Sequence, residues 1–258
     1  IYFRDSGDTI YSLYPVEKML LGTDDYIPKK SGNTLVNSLI IDDGEIKIGS
    51  TTDHTKFEID GTMVSVGSAK TWEDLRIEPT VRGTGVNNPS FEKYLNNGTS
   101  RGVYLYSFDD AVTNSQKEVY FTMQLPHAWA GTEISIHVHW IGNVSDISAA
   151  PIWGLEYSWS NIGEIYTATT TVYTDGKNYT GGSDDADIVA FKHYISEFTN
   201  IVPSETQNGI SSILIGRLFR FSGNASDTYN QTGNKCGLLY IDAHYEVNTL
   251  GSREEYMK

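Results

Sequence analysis

Apolar and polar residues alternate with a period of two along four stretches in the second half of the chain. Val119, Phe121, Met123 and Leu125 alternate with Tyr120, Thr122 and Gln124, and Ile134, Ile136, Val138 and Trp140 with Ser135, His137 and His139. Trp153, Leu155, Tyr157 and Trp159 alternate with Gly154, Glu156 and Ser158, and Leu239, Ile241, Ala243, Tyr245 and Val247 with Tyr240, Asp242, His244 and Glu246. Successive side chains of a strand point to opposite faces, so each stretch is predicted as a strand with one face on a core. Further strands are predicted at 102–107, 164–173, 187–192 and 211–220, while "AFKHYISEF" fits a short helix or a strand. Many strands without a long amphipathic helix predict an all-β fold, a jelly-roll-like β-sandwich over 102–258.

Upstream the pattern differs. Residues 1–34 are polar and irregular, with turn signals at "GTDD" and "KKSGN", and are predicted as an extended arm. Residues 35–75 carry a repeat: "IDDGEIKIGS" (41–50) and "IDGTMVSVGS" (59–68) align without gaps. Each unit is a turn, a short alternating strand and a closing Gly-Ser. Two copies are too few for a self-sufficient solenoid, which leaves two readings: an irregular β-meander, or a segment stabilised when several chains wind together. Trp72 and Leu75 could anchor one helical turn, after which Gly, Asn and Pro mark 76–101 as a connector.

The charge balance narrows the partners. The net charge is −14, and a chain this acidic has no positive field to offer the phosphates of a nucleic acid or an anionic membrane surface. No apolar run is long enough for membrane insertion as a helix. The opening residues carry neither the basic nor the apolar region of a signal peptide. Cys236 is the one cysteine, so no intramolecular disulfide forms; it precedes the apolar run Leu238 to Ile241 and is expected to be a buried, inert thiol. Sequons at Asn97, Asn143, Asn178, Asn224 and Asn230 read as solvent-facing polar loops.

The chemistry-bearing residues concentrate on the polar strand faces. His137 and His139 share one face, and imidazoles at i and i+2 can ligate one divalent metal. A third ligand could come from the polar face of the last strand, where His244 sits with Asp242 and Glu246, or from copies of the pair meeting on a threefold axis. Without metal, the same histidines would hydrogen-bond to carboxylates and hydroxyls. His127 follows Pro126 and reads as a turn residue, and Asp184, Asp185 and Asp187 as a solvated turn lacking the Gly and Glu of an EF-hand. Trp129, Tyr166, Tyr173 and Tyr179 are placed in loops or on polar faces, where they could stack on sugar rings. There is no G-x-S-x-G, no phosphate-binding Gly loop and no H-E-x-x-H, so no catalytic residue is assigned and the chain is read as a non-enzyme.

"KTWEDLRI" (70–77), "YFTMQLPHAWAGTEISIHVHW" (120–140) and "LLYIDAHYEVNTLGSREEYMK" (238–258) together resemble a set of tailed-bacteriophage and environmental viral structural proteins. Glu73 stands where Asp is commoner in that set. The resemblance implies a fibre, spike or capsid decoration protein on the virion surface. It implies a homotrimer that docks on other virion proteins through its N-terminal arm, with a host-surface glycan as a further partner. Two other readings stay open: a carbohydrate-binding module, and a metal-dependent or glycan-cleaving enzyme of cupin-like shape.

Overall fold

The computed structural model describes residues 2–4, 10–12, 26–31, 34–42, 45–109, 116–180, 183–252 and 254–255. The fold is all-β and its sheets are antiparallel. Among the described residues the only helical element is a single 3-10 turn, Gly67–Ala69, and no helix is long and apolar enough to cross a membrane. The chain forms two compact units, 1–71 with 248–250 and 72–247 with 251–258.

In the first unit, β1 (Tyr2–Arg4) pairs with β2 (Ile10–Ser12). The five strands β3 (Tyr26–Ser31), β4 (Thr34–Asp42), β5 (Ile46–Gly49), β6 (His54–Phe57) and β7 (Met63–Val66) follow one another in a single sheet. Most of the span expected as an extended arm lies outside the described residues; its described parts are β1, β2 and β3. The sequence repeat becomes β5 and β7, with β6 between them. Within one chain this is the meander reading.

The register makes this sheet two-faced. Ile40 lies opposite Ile48, and Ile46 opposite Phe57, which lies opposite Met63. These side chains share one face, because directly paired residues point the same way. The other face carries Lys47 opposite Lys56, and Lys56 Nζ is 3.0 Å from carboxylate oxygens of both Glu45 and Glu58. On the apolar face Ile46, Ile48 and Phe57 stay 47%, 48% and 41% exposed.

The second unit is a sandwich. Its larger sheet contains β8 (Thr71–Ile77), β9 (Ser90–Leu95), β10 (Val103–Phe108), β12 (Trp129–Gly142), β15 (Tyr179–Thr180), β16 (Ser183–Asp184), β17 (His193–Ile201) and β19 (Cys236–Val247). They run in the order β16-β15-β17-β12-β19-β10-β9, with β8 also paired to β19. The smaller sheet is β11 (Glu118–Gln124), β18 (Ile213–Arg220), β13 (Trp153–Ser160) and β14 (Thr170–Tyr173), in that order. Ile134, Ile136, Val138 and Trp140 of β12 are fully buried in one cluster with Phe121, Leu155, Trp159, Phe198, Leu214, Leu218 and Ile241. Each buried aromatic removes roughly 150–250 Å² from water, several kcal/mol at about 25 cal/mol per Å². The indole N–H groups of Trp140 and Trp159 donate to Ser196 Oγ at 3.0 Å and Ser212 Oγ at 2.9 Å.

Several expectations change. Trp72 and Leu75 lie on β8 rather than in a helical turn, and the stretch expected as a connector supplies β9 to the large sheet. "AFKHYISEF" resolves as strand: β17 begins at His193, and within 187–192 only Ile188 bridges, to Asp146. The strand expected over 164–173 is limited to β14. On β19, Tyr240 lies opposite His139 but Leu238 opposite Trp140, so Leu239 is the extra residue of a bulge. Leu238, not Leu239, joins the core.

Candidate metal centre

Four of the chain's six histidines gather on the outer face of the large sheet. The inner residues of β12 point to the core, so alternation turns His137 and His139 the other way. In register, His137 lies between Glu197 of β17 and Asp242 of β19, and His139 between Ile195 and Tyr240. Ser135 opposes His244, and Ile141 opposes His193. β8 brings Asp74 to the same group.

The geometry centres on Asp242, which is 4% exposed. His139 Nε2 is 3.2 Å from Asp242 Oδ2 and His137 Nδ1 is 3.7 Å from Asp242 Oδ1. His137 Nε2 meets Glu197 Oε1 at 3.3 Å. His139 Nδ1 is 2.8 Å from His193 Nε2, and the His139 ring stacks on Tyr240 with centroids 4.2 Å apart. His244 Nε2 is 3.0 Å from Asp74 Oδ1 and 3.7 Å from Asp242 Oδ2. Asp242 Oδ1 is buried without a hydrogen-bond donor.

Burial pushes the His137 imidazole below its ordinary value, and the neighbouring His244 adds to this against the opposing pull of Glu197 and Asp242. Burial, then His139, does the same to His193. Burial acts to raise Asp242, but the neighbouring His139, followed by His137 and His244, outweighs it and holds the carboxyl low. A carboxylate among imidazole nitrogens is a donor set for a divalent metal.

The metal set expected from the alternation, His137, His139 and His244, is therefore brought together within a single chain, with Asp242 at its middle. His137, His139 and Asp242 offer donor atoms within 4.8 Å of one another, as do Asp74, Asp242 and His244. Glu246 stands apart, accepting from Thr132 Oγ1 at 3.1 Å. His193, Glu197 and Asp74 were missed. His193 and Glu197 follow the i, i+4 positions of one strand face, a signal hidden by the helix-or-strand ambiguity, and Asp74 needed the β8–β19 pairing. The histidine face points away from the sandwich interior, so these histidines do not line the inside of a barrel as those of a cupin-like site would.

The other candidates separate. Trp129 is buried, not a surface platform: it opens β12 and stacks on Trp159 at 5.4 Å. Tyr166 and Tyr173 are exposed, Tyr173 leaning on Phe221 at 5.3 Å, and Tyr179 is half-buried with its hydroxyl donating to Asp175. On the outer face of the small sheet, Tyr120, Thr122, Glu156, Thr169, Ile215 and Arg217 line a groove of about 350 Å³. His127 is a clip, bonded to Ser252 Oγ at 2.6 Å and Ser211 Oγ at 2.9 Å. Asp185 and Asp187 serve their own turn, pairing with Lys192 and accepting from the Ser148 N–H. Asn178 is buried rather than solvent-facing, donating to Ala149 O at 2.7 Å.

No family model matches this chain. None of the curated proteins matches it either. Among solved structures it is similar to TmCBM61 in complex with beta-1,4-galactotriose, at 10% identity over 69% of this chain and 88% of that one, with a TM-score of 0.25. It is also similar to CBM28, a non-crystalline cellulose specific carbohydrate-binding module, at 8% identity over 67% and 88% with a TM-score of 0.26. A third similarity is to infectious bursal disease virus Gx strain, at 12% identity over 90% of this chain and 54% of that one, with a TM-score of 0.26. Likeness of this degree leaves function to the chain's own geometry.

Proposed function

We propose that this chain is a non-enzymatic virion structural protein, a fibre, spike or capsid decoration, that assembles as a homotrimer on the particle surface. The observation that carries the reading is the apolar face of the first unit. Among the described residues, this sheet leaves Ile46, Ile48 and Phe57 exposed on one side, while the other side holds a Lys–Glu network beside the buried Ile41. An exposed apolar patch opposite a charged face marks a protein interface, and further copies of the same face complete it with closed symmetry. The three segments that resemble viral structural proteins support the same reading. Sedimentation of the full chain tests it: a trimer is expected, dissociated by Ile48→Glu with Phe57→Glu, and a strict monomer at all concentrations overturns it.

A second reading, a carbohydrate-binding module or the glycan-attachment surface of a virion protein, is favoured by the groove beside Glu156 and Arg217. Thr169 Oγ1 donates to Glu156 Oε1 at 2.7 Å and Arg217 Nε to Glu156 Oε2 at 2.9 Å, so the groove presents fixed polar groups next to the Tyr120 ring. Binding on a glycan array that is lost on Tyr120→Ala supports this reading, and an array without signal removes it.

A further inference from the structure

His137 Nε2 lies 3.3 Å from Glu197 Oε1, an acceptor that satisfies a ring proton placed on that nitrogen. With the proton there, the ring's lone pair is on Nδ1, 3.7 Å from Asp242 Oδ1. That oxygen is itself buried and has no donor. Two acceptors thus face each other in a buried site, an arrangement that costs free energy unless a cation lies between them.

The second imidazole is set up in the same way. When His139 donates its Nδ1–H to His193 Nε2, 2.8 Å away, its Nε2 lone pair faces Asp242 Oδ2 at 3.2 Å. Ligating histidines characteristically hand their other ring N–H to an outer acceptor, which fixes tautomer and orientation. In this tautomer Glu197 is the outer acceptor for His137 and His193 for His139. Tetrahedral ligands about 2.0–2.2 Å from a Zn²⁺ ion lie roughly 3.4 Å from one another; here each imidazole nitrogen faces its own oxygen of the one carboxylate, His139 Nε2 at 3.2 Å from Oδ2 and His137 Nδ1 at 3.7 Å from Oδ1.

We propose that His137 Nδ1, His139 Nε2 and the Asp242 carboxylate bind one divalent transition-metal ion of the imidazole-preferring class, Zn²⁺ foremost, with Glu197 and His193 as outer positioning residues. The two nitrogens and the carboxylate oxygen leave a fourth position for water, with His244 the further imidazole in reach. Because β12 supplies both histidines and β19 the carboxylate, the ion staples the central strand pair of the large sheet. Nothing in this site depends on oligomerisation or on the virion reading.

Titration of the tag-free full chain with Co²⁺ and Zn²⁺ tests the site. One Co²⁺ per chain with the visible bands of a low-coordinate nitrogen–oxygen site is expected, displaced by Zn²⁺. Asp242→Asn and His139→Gln should each weaken binding at least about 100-fold, and Glu197→Gln about 10–100-fold, while Asp184→Asn leaves it unchanged. Zn²⁺ should also raise the Tm of the wild-type chain and EDTA reverse it, a readout that needs no variant to fold. Absence of stoichiometric binding and of the Tm rise overturns the proposal, as does binding that folded Asp242→Asn retains in full. A monomeric chain that binds Zn²⁺ would sink the trimer and leave this site standing.

Discussion

Arg220 and Asp227 form an ion pair at 3.1 Å in which neither side chain is exposed to solvent. The guanidinium spends its remaining donors on carbonyls of Asn234 at 2.9 Å, Phe108 at 3.3 Å and Tyr229, and Asp227 Oδ2 also accepts the Ile152 N–H at 3.1 Å. Pairing of this kind offsets a large desolvation cost only while every member is satisfied. Asp227→Ala leaves the arginine buried and unpaired, so it should destabilise the second unit by about 3–5 kcal/mol. Equilibrium denaturation in urea measures this, and a loss below about 1 kcal/mol would show that the pair is not the clamp the geometry describes.

Gly154 faces Phe219 across the β13–β18 pairing, and a Cβ at this position would run into the Phe219 ring. The ring also carries Arg217 over its face at 4.3 Å and meets Tyr173 edge-on at 6.3 Å. Gly154→Ala should cost roughly 1–3 kcal/mol through overpacking. It should also move Arg217, so any glycan binding at the Glu156–Arg217 groove falls with stability. Thermal melts and array binding of the same variant check both consequences.

The Asp53 carboxyl is pulled down to about 2, first by the Ser68 backbone N–H and then by the hydroxyls of Thr52 and Ser68. The Ser68 N–H donates to Asp53 Oδ1 at 2.8 Å. A carboxyl lowered in the fold favours folding above its unfolded value near 3.9 and loses that contribution as pH falls toward its folded value. Protection of the Ser68 amide against hydrogen exchange should therefore hold at neutral pH and decline between about pH 4 and pH 2. Asp53→Asn should remove the pH dependence in that window.

The parts of this molecule legible in the sequence are those where alternation meets a core. β11, β12 and β13 sit where the apolar pattern puts them, because each packs one face on the other sheet. β8 escaped notice because its face is not apolar: Thr71–Ile77 is exposed along most of its length and joins the sheet through backbone pairing. β9 hides for a related reason, with Phe91 exposed and Tyr94 buried. Ile241, Ala243 and Tyr245 of β19 face the core as the alternation predicts, and the bulge at Leu239 replaces only the first inward residue with Leu238, which no local pattern announces. The candidate site was half visible. His137 and His139 share a face by parity alone, and Asp242 and His244 likewise, but only the β12–β19 register makes the two pairs meet. The Arg220–Asp227 pair had no sequence signal, since it depends on the Phe108 carbonyl at the end of β10 and on how the segment after β18 folds back to offer the carbonyls of Tyr229 and Asn234.

Cys236 supplies a prediction about dynamics. It is fully buried beside Arg220, and burial pushes its thiol up to about 12, with the guanidinium pulling the other way. The thiolate is the reactive form, so the native chain should be inert to thiol reagents at neutral pH. Labelling then requires the strand to open, and Cys236 pairs with Phe108 and Gly142 on two neighbouring strands. Opening it means breaking the large sheet, so labelling should follow global unfolding rather than local fraying. The rate of labelling against urea concentration checks this: its slope should match the equilibrium m-value of the second unit. Fast labelling with little urea dependence would show instead that this end of β19 opens by itself.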